Sequence, residues 1–430
     1  MNEDLRVLIV AEHASARFGG EAALPLHYFR VMRNRGIPVW LVTHARTRAE
    51  LSQLYPGDVQ ILYIEDSVWH RAMWRIGRLI PDQISYFTTG FLSRLSTQLA
   101  QRRLVRRLVR EQGITVVHQP MPVSPREPSV LFGFGVPVII GPMNGGMDYP
   151  PDFRRSRGAV ERALLGFGRA SSTLLNWWIP GKRRAAALLV ANARTREALP
   201  GGVCTNVVEM VENGVDLSLW QRPVEVVRGS EPGATVFAFM GRLVDWKAVD
   251  LLLHAFALAR SQVSMCLWIL GDGVQRARLE VLAKELGIAG NAADAVGAVL
   301  FAGWLPQEAC AQRLREADCL VLPSLLECGG AVVLEAMSMG KPVIATAWGG
   351  PLDYLDASCG ILVPPNDRKT LIEGFAAAMT QLASSPHQRR AMGLRGRERV
   401  ARSFDWELKA DRMIDLYKAV RTQKAAIGRG

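Results

Sequence analysis

Short apolar runs alternate with longer stretches of helical spacing along most of the chain. Leu5–Ala11 is a run of buried-strand type, and Glu21–Arg35, with helical apolar spacing, follows it and stops at Gly36. Val39–Thr43 and Val59–Ile64 read as the next two strands, and Ser67 to Gln112 as a long, mostly helical region. Strand runs return at Ile114–His118 and Val136–Ile140, then a helical stretch near Val160–Trp178, then strands at Leu188–Ala191 and Val207–Val211. Strands separated by helices predict a parallel sheet covered on both faces.

The stretch from Asn213 to Gly233 breaks this rhythm. Asn-Gly, Pro and Gly punctuate it without helical period, which predicts a linker over 213–233 between domains 1–212 and 234–403. A second alternating series opens with a strand at Thr235–Met240 and a helix at Val249–Ala259. It continues through strands at Ser264–Leu270, Val299–Ala302, Cys319–Pro323, Val343–Thr346 and Gly360–Val363. Helices fill the gaps at Arg276–Leu286, Ala309–Ala317 and Gly330–Met339, and close the chain near Lys369–Leu382, His387–Arg402 and Trp406–Arg421. The closing segment 404–430 is expected to pack back toward the first domain. The fold class is α/β: two doubly wound, Rossmann-like domains facing each other across a cleft at the carboxyl ends of their sheets, where such folds take ligands.

Length supports two domains, since 430 residues exceed one compact core. Charge adds an asymmetry. Residues 1–215 hold 27 basic and 17 acidic side chains, so the first half carries nearly all of the net +12. That points to an anionic partner such as phosphates or a membrane surface. The acidic start MNEDLRVLIVAEH is unlike an export signal, and no apolar stretch is long enough to span a bilayer, so the expected location is cytoplasmic. The six cysteines form no CxxC pair and read as small buried hydrophobes.

The candidate chemistry sits mainly in the second half. In Pro323–Thr346, Glu327 ends the loop after a strand, Gly329 and Gly330 open a helix, and Glu335 lies in its first turns. Glycines there let backbone N–H groups approach a ligand closely, and carboxylates accept hydrogen bonds from sugar or ribose hydroxyls. Taken alone, the two glutamates are more simply a cap and a solvated helix face. Arg242 and Lys247 follow the domain's first strand in GRLVDWK, and two cations suit a diphosphate without a metal.

Together these residues resemble glycosyltransferase family 4, the group 1 transferases of the GT-B fold. GRLVDWK, ILGDG, the E-x7-E element from Glu327 to Glu335, KPVIAT and GILVPPND at Gly360–Asp367 carry the likeness, as do VENGVDLSLW at Val211–Trp220 and Phe404-Asp-Trp406. The likeness implies a retaining hexosyltransferase of cell-envelope or exopolysaccharide synthesis, using a UDP-, GDP- or other NDP-sugar without a metal. Arg242 and Lys247 would grip the diphosphate. Glu327, with backbone groups of Cys328, Gly329 and Gly330, would meet the transferred sugar, and Glu335 the ribose. This chain has Glu-Cys-Gly-Gly where the family often has Glu-Gly-Phe-Gly, which leaves the donor sugar open.

In the first half the likeness implies that Gly19 and Gly20 present backbone N–H groups to the donor or acceptor. It places His118, at a strand end, near the donor sugar as a catalytic candidate, with Asn144 on the acceptor side. The acceptor would be a saccharide or a lipid-linked saccharide. The absence of G-x-G-x-x-G after the first strand speaks against a dinucleotide dehydrogenase, and no Walker A or Asp-x-Asp appears.

Residues 101–110, QRRLVRRLVR, put Leu104, Val105, Leu108 and Val109 on one face and arginines on the other. Two readings stand: peripheral contact with the anionic inner face of a cytoplasmic membrane, or a solvated helix packed on its own sheet. Nucleic acid is not expected, because aromatics do not interleave with the arginines. Two other functions stay open: a nucleotide-sugar 2-epimerase on the same scaffold, and a non-catalytic basic module.

Overall fold

Four consecutive apolar residues, Val7–Val10, are all buried, as a strand with both faces covered requires. The same holds for Val39–His44, Val138–Met143, Met265–Leu270 and Cys319–Leu322. The computed structural model describes residues 5–17, 20–80, 85, 88–154, 171–220, 233–290 and 296–427. Its chain divides into two compact units, residues 1–146, 158–212 and 409–430, and residues 147–157 and 213–408.

The first unit holds β1 (Val7–Val10), β2 (Val39–His44), β3 (Ile61–Ile64), β4 (Val116–Gln119), β5 (Val138–Met143), β6 (Ala187–Val190) and β7 (Val207–Glu209). They form one parallel sheet in the order β3-β2-β1-β4-β5-β6-β7. Its helices include α1 (Gly20–Asn34), α2 (Arg48–Leu54), α3 (Val68–Gly77), α4 (Thr89–Glu111), α5, described over residues 171–178, and α6 (Ala193–Glu197). The sequence reads Ser67–Gln112 as one helical region; the structure divides it into α3 and α4, which pack on each other. Most of the predicted helical stretch Val160–Trp178 lies outside the described residues.

α4 settles the reading of the basic stretch. Val105 and Leu108 join the core beneath the sheet, and Leu104 and Val109 pack against it. Each fully buried side chain of this size contributes about 1.5–3 kcal/mol. The apolar face of residues 101–110 is therefore used inside its own unit, while Arg103, Arg106, Arg107 and Arg110 are exposed.

The second unit holds β8 (Thr235–Met240), β9 (Met265–Leu270), β10 (Val299–Gly303), β11 (Cys319–Leu322), β12 (Val343–Thr346) and β13 (Gly360–Val363). Their order, β10-β9-β8-β11-β12-β13, repeats that of the first sheet, with the chain reversing direction between β8 and β11. Helices α7 (Val249–Ala259), α8 (Arg276–Glu285), α9 (Gln307–Glu316), α10 (Ala331–Ser338), α11 (Pro351–Tyr354), α12 (Arg368–Ser384) and α13 (Pro386–Ser403) complete it. Phe237, Phe239, Leu320, Leu322 and Phe375 are fully buried in its core.

Two boundaries differ from the sequence expectation. Residues 147–157 cluster with the second unit, where the Trp348 indole donates to the Asp148 carbonyl at 2.8 Å. Residues 213–220, read as linker, also belong to that unit: Val215 bonds to Phe404 at 2.8 Å, and Val215 and Trp220 are buried. The final helix α14 (Trp406–Ile427) is counted with the first unit from Lys409 onward.

Candidate functional site

Two loops at the reversal of the second sheet are stitched together by their backbones. After β8 the chain makes a short turn, Asp245–Lys247, and Trp246 presents its carbonyl to the Leu325 N–H of the loop after β11 at 2.8 Å. This sets Lys247 beside Glu327. The ammonium is bonded to the Glu327 carboxylate, which also accepts from Ser324 Oγ at 3.2 Å. Both side chains of the pair are mostly covered.

Arg242 stands on the same loop, exposed, with its guanidinium 6.0 Å from the Trp246 ring. Among the described residues it has no ion-pair partner. The ILGDG segment braces this loop: Asp272 accepts from the Leu243 N–H at 2.9 Å, and Gln275 donates to the Leu243 carbonyl at 3.0 Å.

Gly330 caps α10 with φ +83°, a left-handed conformation that glycine adopts without a Cβ penalty. A Cβ there would meet the Glu327 side chain at 3.1 Å. The chain thus turns tightly from Glu327 into the helix, leaving the N–H groups of Gly329, Gly330 and Ala331 at its start. Among the described residues these find no acceptor. Cys328 and Gly329 lie in the same turn.

Glu335, one turn into α10, retains some exposed surface as a residue. Its carboxyl is nonetheless enclosed enough that burial pushes it up to about 8, and Cys310 of α9 is close enough to feel its charge. No hydrogen bond or ion pair holds this carboxyl among the described residues.

The glycine pair after β12 belongs to this site and is not evident from sequence. Gly350 donates its N–H to the Glu327 carbonyl at 2.7 Å, and a Cβ on Gly350 would lie 2.0 Å from the Gly329 carbonyl. The segment Trp348-Gly-Gly350 therefore acts as the floor of the Glu327 loop. Only a tertiary contact reveals this, since Gly-Gly after a strand is otherwise ordinary turn chemistry.

In the first unit the expected site residues fare differently. Gly19 lies outside the described residues, and Gly20 begins α1 with open space where a Cβ would stand. His118 is fully buried on β4. Its Nε2–H donates to the Gly141 carbonyl at 2.6 Å, and Nδ1 accepts from the Tyr417 hydroxyl of α14 at 2.8 Å. Burial pushes the imidazole down to about 4. With both nitrogens engaged and no exposed surface, His118 ties the sheet to the final helix. Asn144 is buried as well: it donates to Glu212 at 2.6 Å and accepts from Thr195 at 3.3 Å. These bonds hold Asn144 within the first unit. A groove of about 720 Å³ runs along edge strand β3 and α4, lined by Ile61, Tyr63, Arg103 and Arg107 among others, and contains none of the expected site residues.

Two doubly wound sheets of this order make the chain a protein of the GT-B fold. A solved structure, Anabaena HepE in complex with UDP, covers 96% of this chain and 100% of its own, with TM-score 0.64 and 14% identity. Residues 225–399 match the family described as glycosyl transferases group 1. The D-inositol 3-phosphate glycosyltransferase of Thermomonospora curvata is 32% identical over 244 residues, covering 52% of this chain and 54% of the relative. The lipopolysaccharide core biosynthesis glycosyltransferase LpsE of Rhizobium meliloti is 34% identical over 184 residues, covering 43% and 49%. The chain thus spans about half the length of the curated relatives it matches.

Proposed function

We propose that this protein is a glycosyltransferase that moves a hexosyl group from a nucleoside-diphosphate sugar to a saccharide or lipid-linked saccharide, with retention at the anomeric carbon. The observation that carries the reading is the Lys247–Glu327 pair at the sheet reversal, flanked by unpaired Arg242 and by the glycine-opened start of α10. The names of the curated relatives support glycosyl transfer, and the UDP bound by HepE supports a nucleotide-sugar donor.

In this reading the bond between C1 of the sugar and the diphosphate oxygen breaks, and charge grows on the departing phosphate. Arg242 chelates its oxygens and Lys247 adds a point charge, so the developing charge is offset without a metal. The N–H groups of Gly329 and Gly330 and the Glu327 carboxylate hold the sugar hydroxyls. The Glu335 carboxyl takes the ribose hydroxyls. The acceptor hydroxyl attacks from the face the diphosphate leaves, and its proton passes to the leaving phosphate oxygen. His118 and Asn144 have no part in this scheme.

The test is a thermal-shift panel of nucleoside diphosphates and their sugars, since a ligand that binds only the folded state raises its melting temperature. NMR of donor with and without acceptor saccharides then follows the anomeric carbon. Stabilisation by one nucleotide, and a product retaining the donor's anomeric configuration, are expected. No response to any nucleotide sugar, or conversion of the donor to its epimer, overturns the reading.

A further inference from the structure

Helix α3 and the two residues after it wear their apolar side chains on the outside. Its inner side is fixed by two contacts with α4: buried His70, whose Nε2 lies 2.9 Å from Thr97 Oγ1, and Gly77, whose Cα faces the Thr89 side chain. At about 100° per residue, Val68, Trp69, Ala72, Ile76 and Leu79 then fall on the far side in one stripe. Val68, Trp69 and Leu79 are 72%, 70% and 84% exposed. Arg71, Arg75 and Arg78 form a second, exposed stripe alongside it. Arg78 stacks over exposed Trp74 at 5.0 Å. α3 contains no acidic residue, and Glu65 and Asp66 just before it are paired with Arg48 and Arg46.

Such a helix is built the wrong way round for a monomer in water, where an apolar stripe faces the core. α4 continues the surface. Exposed Leu92 and Leu99 run in line with exposed Arg103 and Arg106. α5 adds exposed Leu174, Trp177 and Trp178. It is anchored to the loop at Arg126, which Asn176 holds at 2.8 Å, and the neighbouring Glu127 pairs with Arg94 of α4 at 2.9 Å.

We infer that α3 lies in the headgroup region of an anionic bilayer, with Val68, Trp69, Ile76 and Leu79 at the acyl boundary and Arg71, Arg75 and Arg78 on lipid phosphates. The charge selects this occupant. Three arginines with no acidic partner among the described residues complement anionic headgroups, tryptophan and arginine together suit the membrane–water boundary, and the first half of the chain carries the excess of positive charge. The docking element is thus α3, not the 101–110 stretch, whose apolar face is spent on the core. This inference stands independently of the transfer reading.

The experiment is flotation of the full chain with vesicles of phosphatidylcholine alone or with one-third phosphatidylglycerol. Binding to the anionic vesicles should exceed binding to the neutral ones by about tenfold or more and fall as salt rises. A Trp69→Ser, Leu79→Ser double variant should lose about tenfold. An Arg71→Gln, Arg75→Gln, Arg78→Gln triple variant should lose about a hundredfold on anionic vesicles. All five positions are exposed, and unchanged thermal melts verify that the variants fold. Absence of flotation, or variants that float like the unaltered chain, overturns the inference. So does sedimentation showing a dimer that the Trp69→Ser, Leu79→Ser change dissolves, because the face would then be covered by a second copy.

Discussion

The ammonium of Lys247 is bonded to the carboxylate of Glu327, and the two stand after β8 and β11, the strands between which the second sheet reverses. Arg242, by contrast, is exposed on the same loop with no ion-pair partner among the described residues. The two cations should therefore separate activity from stability. Arg242→Ala is expected to lower kcat/KM for nucleoside-diphosphate release about 100-fold, the size of one lost electrostatic contact, with an unchanged melting temperature. Lys247→Met should cost similar activity and also lower the melt by a few degrees, since it strips Glu327 of its counter-charge. Steady-state kinetics and circular-dichroism melts on both variants decide the matter.

Glu335 gives a pH signature. The folded carboxyl keeps its proton up to about 8, whereas an unperturbed one releases it at 4.5. Its contribution to stability is full below the lower value and lost as pH rises through the upper. Glu335→Gln should flatten the decline in melting temperature between about pH 4.5 and 8, the window that the shift defines. If ribose hydroxyls donate to this carboxylate, nucleotide affinity should tighten as pH rises toward about 8 and then level off. A titration showing affinity independent of pH removes Glu335 from the ribose.

Gly350 allows a sharper test of the loop floor. A methyl group there would stand 2.0 Å from the Gly329 carbonyl, so backbone must move. Gly350→Ala is expected to destabilise by about 2 kcal/mol and to impair donor binding together with stability, because the displaced strand of backbone carries Glu327. Gly20→Ala, where nothing lies within 4 Å, should be benign for stability.

His118 is expected to matter for folding. Its imidazole is held neutral, down to about 4 against 6.5 for an exposed one, so its stabilisation is complete above 6.5 and is lost as pH falls through about 4. Tyr417→Phe leaves Nδ1 without its donor and should cost about 1–3 kcal/mol, with kcat of the remaining folded protein near normal. A Tyr417→Phe variant of unaltered stability, or a His118→Gln variant that folds fully but is inactive, contradicts this assignment.

Much of the architecture is readable in the chain, because buried parallel strands are written as unbroken apolar runs: Val249–Ala259 is matched as a helix to the residue, and each strand of the second sheet lies within a few positions of its expected span. Local pattern could not show what side chains meet across long separations. Nothing around His118 in the sequence shows that Tyr417, 299 positions away, bonds to its ring. Gly350 looks like a turn until it is seen under Glu327. Likewise, periodicity shows that residues 101–110 are amphipathic but not which way the apolar face turns, and it gave no hint that the neighbouring α3 turns outward. That Lys247 and Glu327 stand on neighbouring loops was legible because motifs at strand ends carry position as well as identity.

The hydrogen bond between Tyr417 and His118 has a bearing on how the chain is made. Synthesis delivers the first sheet early, yet the residue that closes over its central strand leaves the ribosome only after the entire second unit. Until then the nascent β4 waits with an open flank, so maturation of the amino-terminal half should be post-translational, and ribosome-bound chains stalled before α14 should be the protease-sensitive ones.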